Sequence, residues 1–410
     1  MAVVLQVTCD PVDVGFDAAR LRRIDRHFAA YVDDGRLPGW LVLVSRRGEI
    51  AHLSAYGARD LAFGAPVEHD TLFRIYSMTK PITSVAIMML YEEGLLELTD
   101  PVSRFIPSFA EMRVYEKGPA TKPVTRPALE PVRIWHLLTH TAGLAYAFQN
   151  VHVVDQMYRR AGFGNGLPPD LDLAEIVDRW AALPLLFEPG TQWNYSVATD
   201  VLGRVVEAAS GLPLDRFLAE RIFTPLGMTD TAFSIEPADA ARLAALYNAD
   251  QRGRPVPVDV GDAALRPPKA PSGGGGLIST AADYHRFTQM LLRGGELDGV
   301  RLLGPRTVAY MTRNHLPGGA DLDQFGRPVF AEVSYAGVGF GLGFAVVEDP
   351  VRFRGLASRG EYNWGGAAST AFWVDPAEEI TVVFLTQLLP SSTHPIRSQL
   401  RQLVYQALVD

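Results

Sequence analysis

Apolar residues first recur at helical spacing between Asp17 and Asp34, where Leu21, Ile24, Phe28 and Val32 share one face of an amphipathic helix. Two strand-like runs follow, Trp40 to Ser45 and Ile50 to Tyr56, with Arg46, Arg47 and Gly48 as the turn of a hairpin. Ile82, Val85, Ala86, Met89 and Leu90 form a second helical stripe that Gly94 closes. From about Asp100 to Leu277 the pattern changes. Proline-punctuated loops there separate short helical segments at Arg133 to Leu138, Leu173 to Ala182, Val197 to Ala209 and Pro213 to Phe223. A glycine run, Gly273 to Gly276, reads as a flexible junction before a helix at Ala281 to Leu292. Strand patterns dominate the remainder, at Gly341 to Val347, Ser369 to Val374 and Ile380 to Leu385, before a last helix from Ile396 to Leu408.

This order predicts an α/β protein of the α+β type with two lobes. Residues 1–99 and 278–410 would build an antiparallel sheet flanked by helices, and residues 100–277 a mainly helical lobe. Strands that cluster at one end of the chain, instead of alternating strictly with helices, argue against a doubly wound parallel sheet.

Composition narrows the functional classes. At 48% hydrophobic and 20% charged residues, the chain of 410 residues is too apolar to remain disordered. A net charge of -8 lacks the concentrated basic face that nucleic acid requires. No run approaches the roughly 18 apolar residues of a membrane span. Cys9 is the single cysteine, which excludes an internal disulfide and a cysteine-based metal site. Met1 to Asp10 has no cationic stretch and only a short apolar patch, Val3 to Val7, so the expected location is cytoplasmic.

Three segments could carry chemistry. Ser77-Met78-Thr79-Lys80 opens the second helix, and residues three apart on a helix lie on one face, with Cβ atoms about 5–6 Å apart. Lys80 can therefore reach the Ser77 hydroxyl, a poor nucleophile until a neighbouring base takes its proton. A helix N-terminus also aims free N–H groups at a developing anion. The chain has only four lysines, and Lys80 alone has a serine three residues earlier. The second segment, Trp193-Asn194-Tyr195-Ser196, ends a loop just before a helix, where Tyr195 could enter a cleft and share the proton with Lys80. The third, Asn363-Trp364-Gly365-Gly366-Ala367, precedes a strand, and its glycines permit a ligand to approach the backbone closely. Read singly, the first segment equally describes a helix cap, while the second and third more often describe a packed aromatic and a hairpin turn.

Together and in this order they resemble the serine β-lactamase and penicillin-binding-protein superfamily, most closely its family VIII carboxylesterases, with similarity also to a fungal acyltransferase acting on a statin precursor. The resemblance spans most of the chain, including Ser77 to Pro81, His136 to Leu144, Trp193 to Val197, Gly273 to Thr280 and Trp364 to Thr370. It implies a β-lactamase/transpeptidase-like fold with the active site between the lobes. It further implies Ser77 as the acylated nucleophile, Lys80 and Tyr195 as shared base and acid, and the backbone N–H groups of Ser77 and Ala367 as the oxyanion hole.

Two departures shape the expected substrate. None of the four lysines begins a Lys-Thr-Gly triad, and Trp364-Gly365-Gly366 stands where that triad is expected. An indole there offers an apolar wall in place of a cation, which favours neutral acyl esters over anionic β-lactams. The tyrosine motif runs Tyr195-Ser196-Val197, without the asparagine many lactamases carry at its third position. Tyr146, Phe148 and Trp193 are further substrate-contact candidates.

Other patterns are set aside. His136 and His140 have metal-ligand spacing, but Leu137 stands where a zincin has glutamate. Gly337, Gly339, Gly341 and Gly343 open no helix and so are not a dinucleotide fingerprint but a tight sheet edge. The glycine run is not followed by Lys-Ser/Thr, and no serine occupies a G-x-S-x-G elbow. The expectation is a serine esterase for short- to medium-chain, small-molecule acyl esters, needing no metal or organic cofactor. Acyl transfer to an alcohol or amine, weak β-lactamase or peptidase activity, and a non-catalytic binding protein are the alternatives.

Overall fold

A computed structural model describes residues 5–164, 166–326 and 335–410. Val3 and Val4 of the N-terminal apolar patch lie outside the described residues. The first helix, α1 (Ala18–Asp33), begins where the Asp17 carboxylate accepts from the Arg20 N–H at 2.9 Å. Strands β1 (Gly39–Arg46) and β2 (Glu49–Asp60) pair as the expected hairpin. Arg47 and Gly48, with φ of 54° and 87°, supply the two left-handed residues that a tight two-residue turn requires.

The sheet has eight strands and joins the two chain ends. Its order runs from the edge strand β4 (Val338–Phe340) through β5 (Ala345–Val347), β6 (Tyr362–Gly365), β7 (Ala371–Asp375) and β8 (Ile380–Leu385) to β1, β2 and the short β3 (Ala65–Pro66). Every pairing is antiparallel, with Leu41 opposite Leu385 and Trp364 opposite Phe372.

Both faces of this sheet are covered, so side-chain alternation sorts residues between two layers. Trp40, Val42, Val44, Trp373, Val382 and Phe384 pack outward against α1 and the C-terminal helix. Leu41, Leu43, Phe372, Val383 and Leu385 point inward to the central helix α2 (Thr79–Glu92), the helix α3 (Ala198–Ser210) and α4 (Ala281–Leu292). The C-terminal helix, α5 (Ile396–Tyr405), completes the outer layer.

Three expectations change in detail. Every residue of α2 from Thr79 to Leu90 is buried, so the apolar stripe understates a helix enclosed on all sides. The expected strand Gly341 to Val347 is one arm and the turn of a hairpin, β4 to β5, because Gly343 at φ 95° reverses the chain. A Cβ at Gly343 would lie 2.2 Å from the Ser84 hydroxyl of α2, so only glycine admits this approach. The Pro213 to Phe223 segment is a short helix, Leu214–Leu218, which widens into a π turn over Ala219–Phe223.

Candidate active site

The chain enters α2 through a single 3-10 turn, Tyr76–Met78, and Tyr76 holds φ at 46°. That left-handed residue bends the backbone just before Ser77, which stays half-buried ahead of an enclosed helix. Lys80, 2% exposed, lies three residues on and its Nζ donates to Ser77 Oγ at 3.3 Å. The same Nζ donates to the Tyr146 hydroxyl at 3.1 Å and to the Gly274 carbonyl at 2.6 Å. The Gly274 carbonyl can only accept, whereas the Ser77 and Tyr146 hydroxyls can donate or accept, so Lys80 Nζ is anchored by one partner and faces the serine with either role open.

Tyr195 closes the triangle. Its hydroxyl lies 2.7 Å from Ser77 Oγ, and its ring centroid is 4.6 Å from Lys80 Nζ. The loop before α3 is pinned on both sides of this residue. Gln149 Nε2 donates to the Tyr195 carbonyl at 2.6 Å, and Asn194 Nδ2 to the Leu144 carbonyl at 2.9 Å. The Trp364 indole N–H points back to the Tyr195 hydroxyl at 3.4 Å. The His140 ring packs against Tyr195 at 4.9 Å, and burial followed by the Lys80 charge holds its pKa well below the ordinary value. A neutral imidazole there adds no second positive charge beside the lysine.

Ser77 and Tyr195 open onto a cavity of about 600 Å³, which Tyr146, Phe148 and the segment Trp364 to Ala367 also line. Gly366 sits where a Cβ would meet the Ile75 carbonyl at 2.4 Å, so glycine alone brings this strand end against the turn that carries the serine. Phe148 is 56% exposed and stacks on Tyr146 at 4.6 Å between centroids.

The structure places the substrate-contact candidates differently from one another. Trp193 is fully buried, does not line the cavity, and stacks behind Tyr195 at 6.2 Å, so it backs the tyrosine without meeting a ligand. Tyr146 does line the cavity, but its hydroxyl is spent on Lys80. His136 and His140 are separately engaged. His136 Nδ1 accepts from the Arg133 N–H at 3.1 Å, whereas His140 Nδ1 lies 3.4 Å from Ser196 Oγ.

Sequence reasoning also missed the glycine run and Asp200. The run is a fixed wall: Thr83 Oγ1 donates to the Gly273 carbonyl at 2.8 Å, and Lys80 to that of Gly274. Asp200, on the first turn of α3 and 2% exposed, accepts from the Gly274 N–H at 3.0 Å and from Ser272 Oγ at 2.5 Å. Its position five residues after Tyr195 was the available signal, since an acid inside an apolar helix start calls for a partner.

Comparison with known proteins identifies the family of the chain. Residues 24–406 match the Beta-lactamase family. The chain is 36% identical over 421 residues to Esterase EstB of Burkholderia gladioli, covering 97% of this chain and 98% of that protein. It is 30% identical to the lovastatin esterase of Penicillium rubens, covering 92% of this chain and 96% of that one. Among solved structures, EstCE1, described as a hydrolase with promiscuous acyltransferase activity, superposes with a TM-score of 0.79 at 30% identity, covering 96% of this chain and 99% of that chain.

Proposed function

The chain belongs to the Beta-lactamase family, and from that premise we propose that it is a serine carboxylesterase acting on small, neutral acyl esters through an acyl-enzyme on Ser77. The observation that carries the reading is the contact of Ser77 Oγ with both Tyr195, at 2.7 Å, and Lys80, at 3.3 Å, beside an accessible cavity. Ser77 Oγ attacks the ester carbonyl once the Tyr195–Lys80 pair has released one proton to solvent, and the serine proton passes to the member left as neutral amine or phenolate. The carbonyl oxygen, now an anion, is received by the backbone N–H groups of Ser77 and Ala367. The pair returns the proton to the departing alcohol, water enters, and the same steps in reverse order of partners release the acid and restore the serine.

Trp364, Gly365 and Gly366 line the cavity where a lysine triad would favour an anionic substrate, and Phe148 adds an apolar lip. Both features support a neutral acyl ester over a β-lactam. The cleft in this reading lies between the lobes of residues 1–99 with 278–410 and of 100–277. No described helix is long and apolar enough to cross a membrane, and the one cysteine, Cys9, fits action in the cytoplasm.

Hydrolysis of p-nitrophenyl butyrate by the wild type and by Ser77→Ala, with nitrocefin in parallel, tests the proposal. Ester turnover that vanishes in the variant, with little nitrocefin cleavage, is the expected result. Faster turnover of nitrocefin would overturn the assignment of Trp364 and reinstate a lactamase. A second reading, acyl transfer, is favoured by the apolar walls, which can seat an alcohol in the place of water. New esters formed from a panel of added alcohols would establish it.

A further inference from the structure

Lys80 is buried, has Ser77, Tyr146 and the Gly274 carbonyl as its polar partners, and among the described residues enters no ion pair with a carboxylate. A buried cation without a counter-charge is costly, so the compensating charge must act from a short distance away. The buried acid nearest in the hydrogen-bond network is Asp200, and one residue stands between the two. The Gly274 N–H donates to Asp200 Oδ1, and the Gly274 carbonyl accepts from Lys80 Nζ. A Cβ at Gly274 would fall 2.4 Å from Asp200 Oδ2, so the glycine is what permits the carboxylate to come this near. Ser272 Oγ donates to the same Oδ1, so that oxygen accepts two hydrogen bonds and is held against the Gly274 backbone.

We propose that Asp200 is a positioning residue for the Ser77 reaction: an offset counter-ion that sets the proton affinity of the Lys80–Tyr195 pair through Gly274 without occupying the ammonium. This rests on the esterase reading and deepens it. A direct salt bridge would draw Lys80 Nζ away from Ser77. With Gly274 interposed, the carboxylate compensates the charge and Nζ keeps its donor on the serine. The other titratable groups facing Lys80 are Tyr195 and Tyr146, with His140 acting from behind Tyr195. Both Tyr146 and His140 are held neutral, chiefly by burial. Asp200 is therefore the negative charge to which the pair responds. The Lys80 charge in turn opposes the upward push that burial exerts on the Asp200 carboxyl.

The sign of the effect is the same whichever member of the pair takes the serine proton. Without the carboxylate, Lys80 gives up its proton more easily, and a Tyr195 phenolate beside an uncompensated ammonium forms more easily. Asp200→Asn keeps the shape and an acceptor for Gly274 but removes the charge. The acidic limb of kcat/KM for p-nitrophenyl butyrate is expected to move to lower pH by about one unit. The plateau is expected to fall by roughly threefold to tenfold because the base is weaker, with KM little changed. Asp200→Ser serves as a second neutral replacement should the asparagine variant fold poorly, and Asp200→Glu is expected to restore the wild-type limb.

An unmoved limb in a folded neutral variant overturns the proposal. So does an equal shift in Ser272→Ala, which removes a hydrogen bond and keeps the charge. Labelling by a fluorophosphonate across the same pH range separates this inference from the function it rests on. Failure of the probe to modify Ser77 in wild type brings down the esterase reading itself. Modified Ser77 with a pH dependence indifferent to Asp200 brings down only the counter-ion.

Discussion

Two buried polar clusters in this molecule use similar ingredients to opposite ends. Around Lys80 a cation, an acid and two tyrosines are held with a glycine residue between the charges. Around Arg401, against the sheet, a cation, two acids and a tyrosine meet face to face. Arg401 Nη2 and Nε donate to Glu361 at 2.7 and 3.3 Å, and the Tyr405 hydroxyl lies 2.9 Å from Glu361 Oε2 and 2.5 Å from Asp375 Oδ2. The guanidinium also packs over the Trp373 and Phe353 rings, each at 5.1 Å. Direct pairing commits Arg401 to Glu361, and the cluster ties α5 to β6 and β7. Separation by one residue leaves Lys80 a donor for Ser77. Burial and charge are common to both clusters; the distance between the charges, and a nucleophile facing a cavity, distinguish the reactive one.

The largest effects break the clusters in different currencies. Ser77→Ala is expected to lower ester turnover by about 10⁴-fold or more while leaving the melting temperature in place, and Lys80→Ala and Tyr195→Phe to be severely impaired. Steady-state rates beside thermal melts decide this, and near wild-type turnover in any of the three removes that residue from the mechanism. Arg401→Leu should do the reverse. It strands Glu361, which is fully buried, and is expected to cost about 3–5 kcal/mol of stability with kcat per folded molecule retained. Urea denaturation with activity measured on the folded fraction checks it. A stable Arg401→Leu protein with lost kcat would erase the division between the two clusters.

What could be read from the sequence follows from distance along the chain. Ser77 and Lys80 were legible because residues three apart in helical backbone meet wherever that segment lies, here across the 3-10 turn that leads into α2. Tyr195 stands 118 residues from its serine, so only the family pattern linked them. The Gly274 contact to Lys80 crosses 194 residues, and glycine has no side chain to announce a role, so the run passed for a loose junction. Tyr146 and Trp193 read alike as aromatics near a motif. Packing alone sends one hydroxyl to Lys80 and buries the other ring behind Tyr195. The strands and helices of the sheet layer were legible because alternation and helical spacing are local. The reversal at Gly343 was not, since it depends on the nearness of Ser84 on another element.

Tyr146→Phe sharpens the comparison on the catalytic side by removing one of three acceptors from the ammonium and nothing from the fold. The ring and its stack on Phe148 remain, so KM should change little. The expected loss in kcat is roughly tenfold, because one neutral hydrogen bond to a charged group is worth about 1.5 kcal/mol. The acidic limb should move to lower pH, in the same sense as for Asp200→Asn, since an acceptor of the charged form has been taken away. A KM rise with unchanged kcat would return Tyr146 to the role of substrate contact.

The smallest effect concerns the proton of the second cluster. Tyr405 has one phenolic hydrogen and lies within hydrogen-bond distance of two carboxyls, so it can donate to only one of them at a time. Burial raises the Glu361 pKa, and Arg401 only partly opposes it. For a group whose folded pKa lies above its unfolded value, the folded state binds protons more strongly. Its contribution to stability is then fully present below the unfolded pKa and is lost as pH rises through the folded one. Glu361→Gln keeps acceptors and donors for Arg401 and Tyr405 but cannot titrate. Between pH 5 and pH 8 the melting temperature of the variant is therefore expected to fall less steeply than that of the wild type, while the ester-hydrolysis profile stays the same in both. Parallel melting curves for the two proteins would show that Glu361 adds no pH dependence to stability. A displaced activity profile would couple the two clusters across the cavity that both Ser77 and Arg401 line.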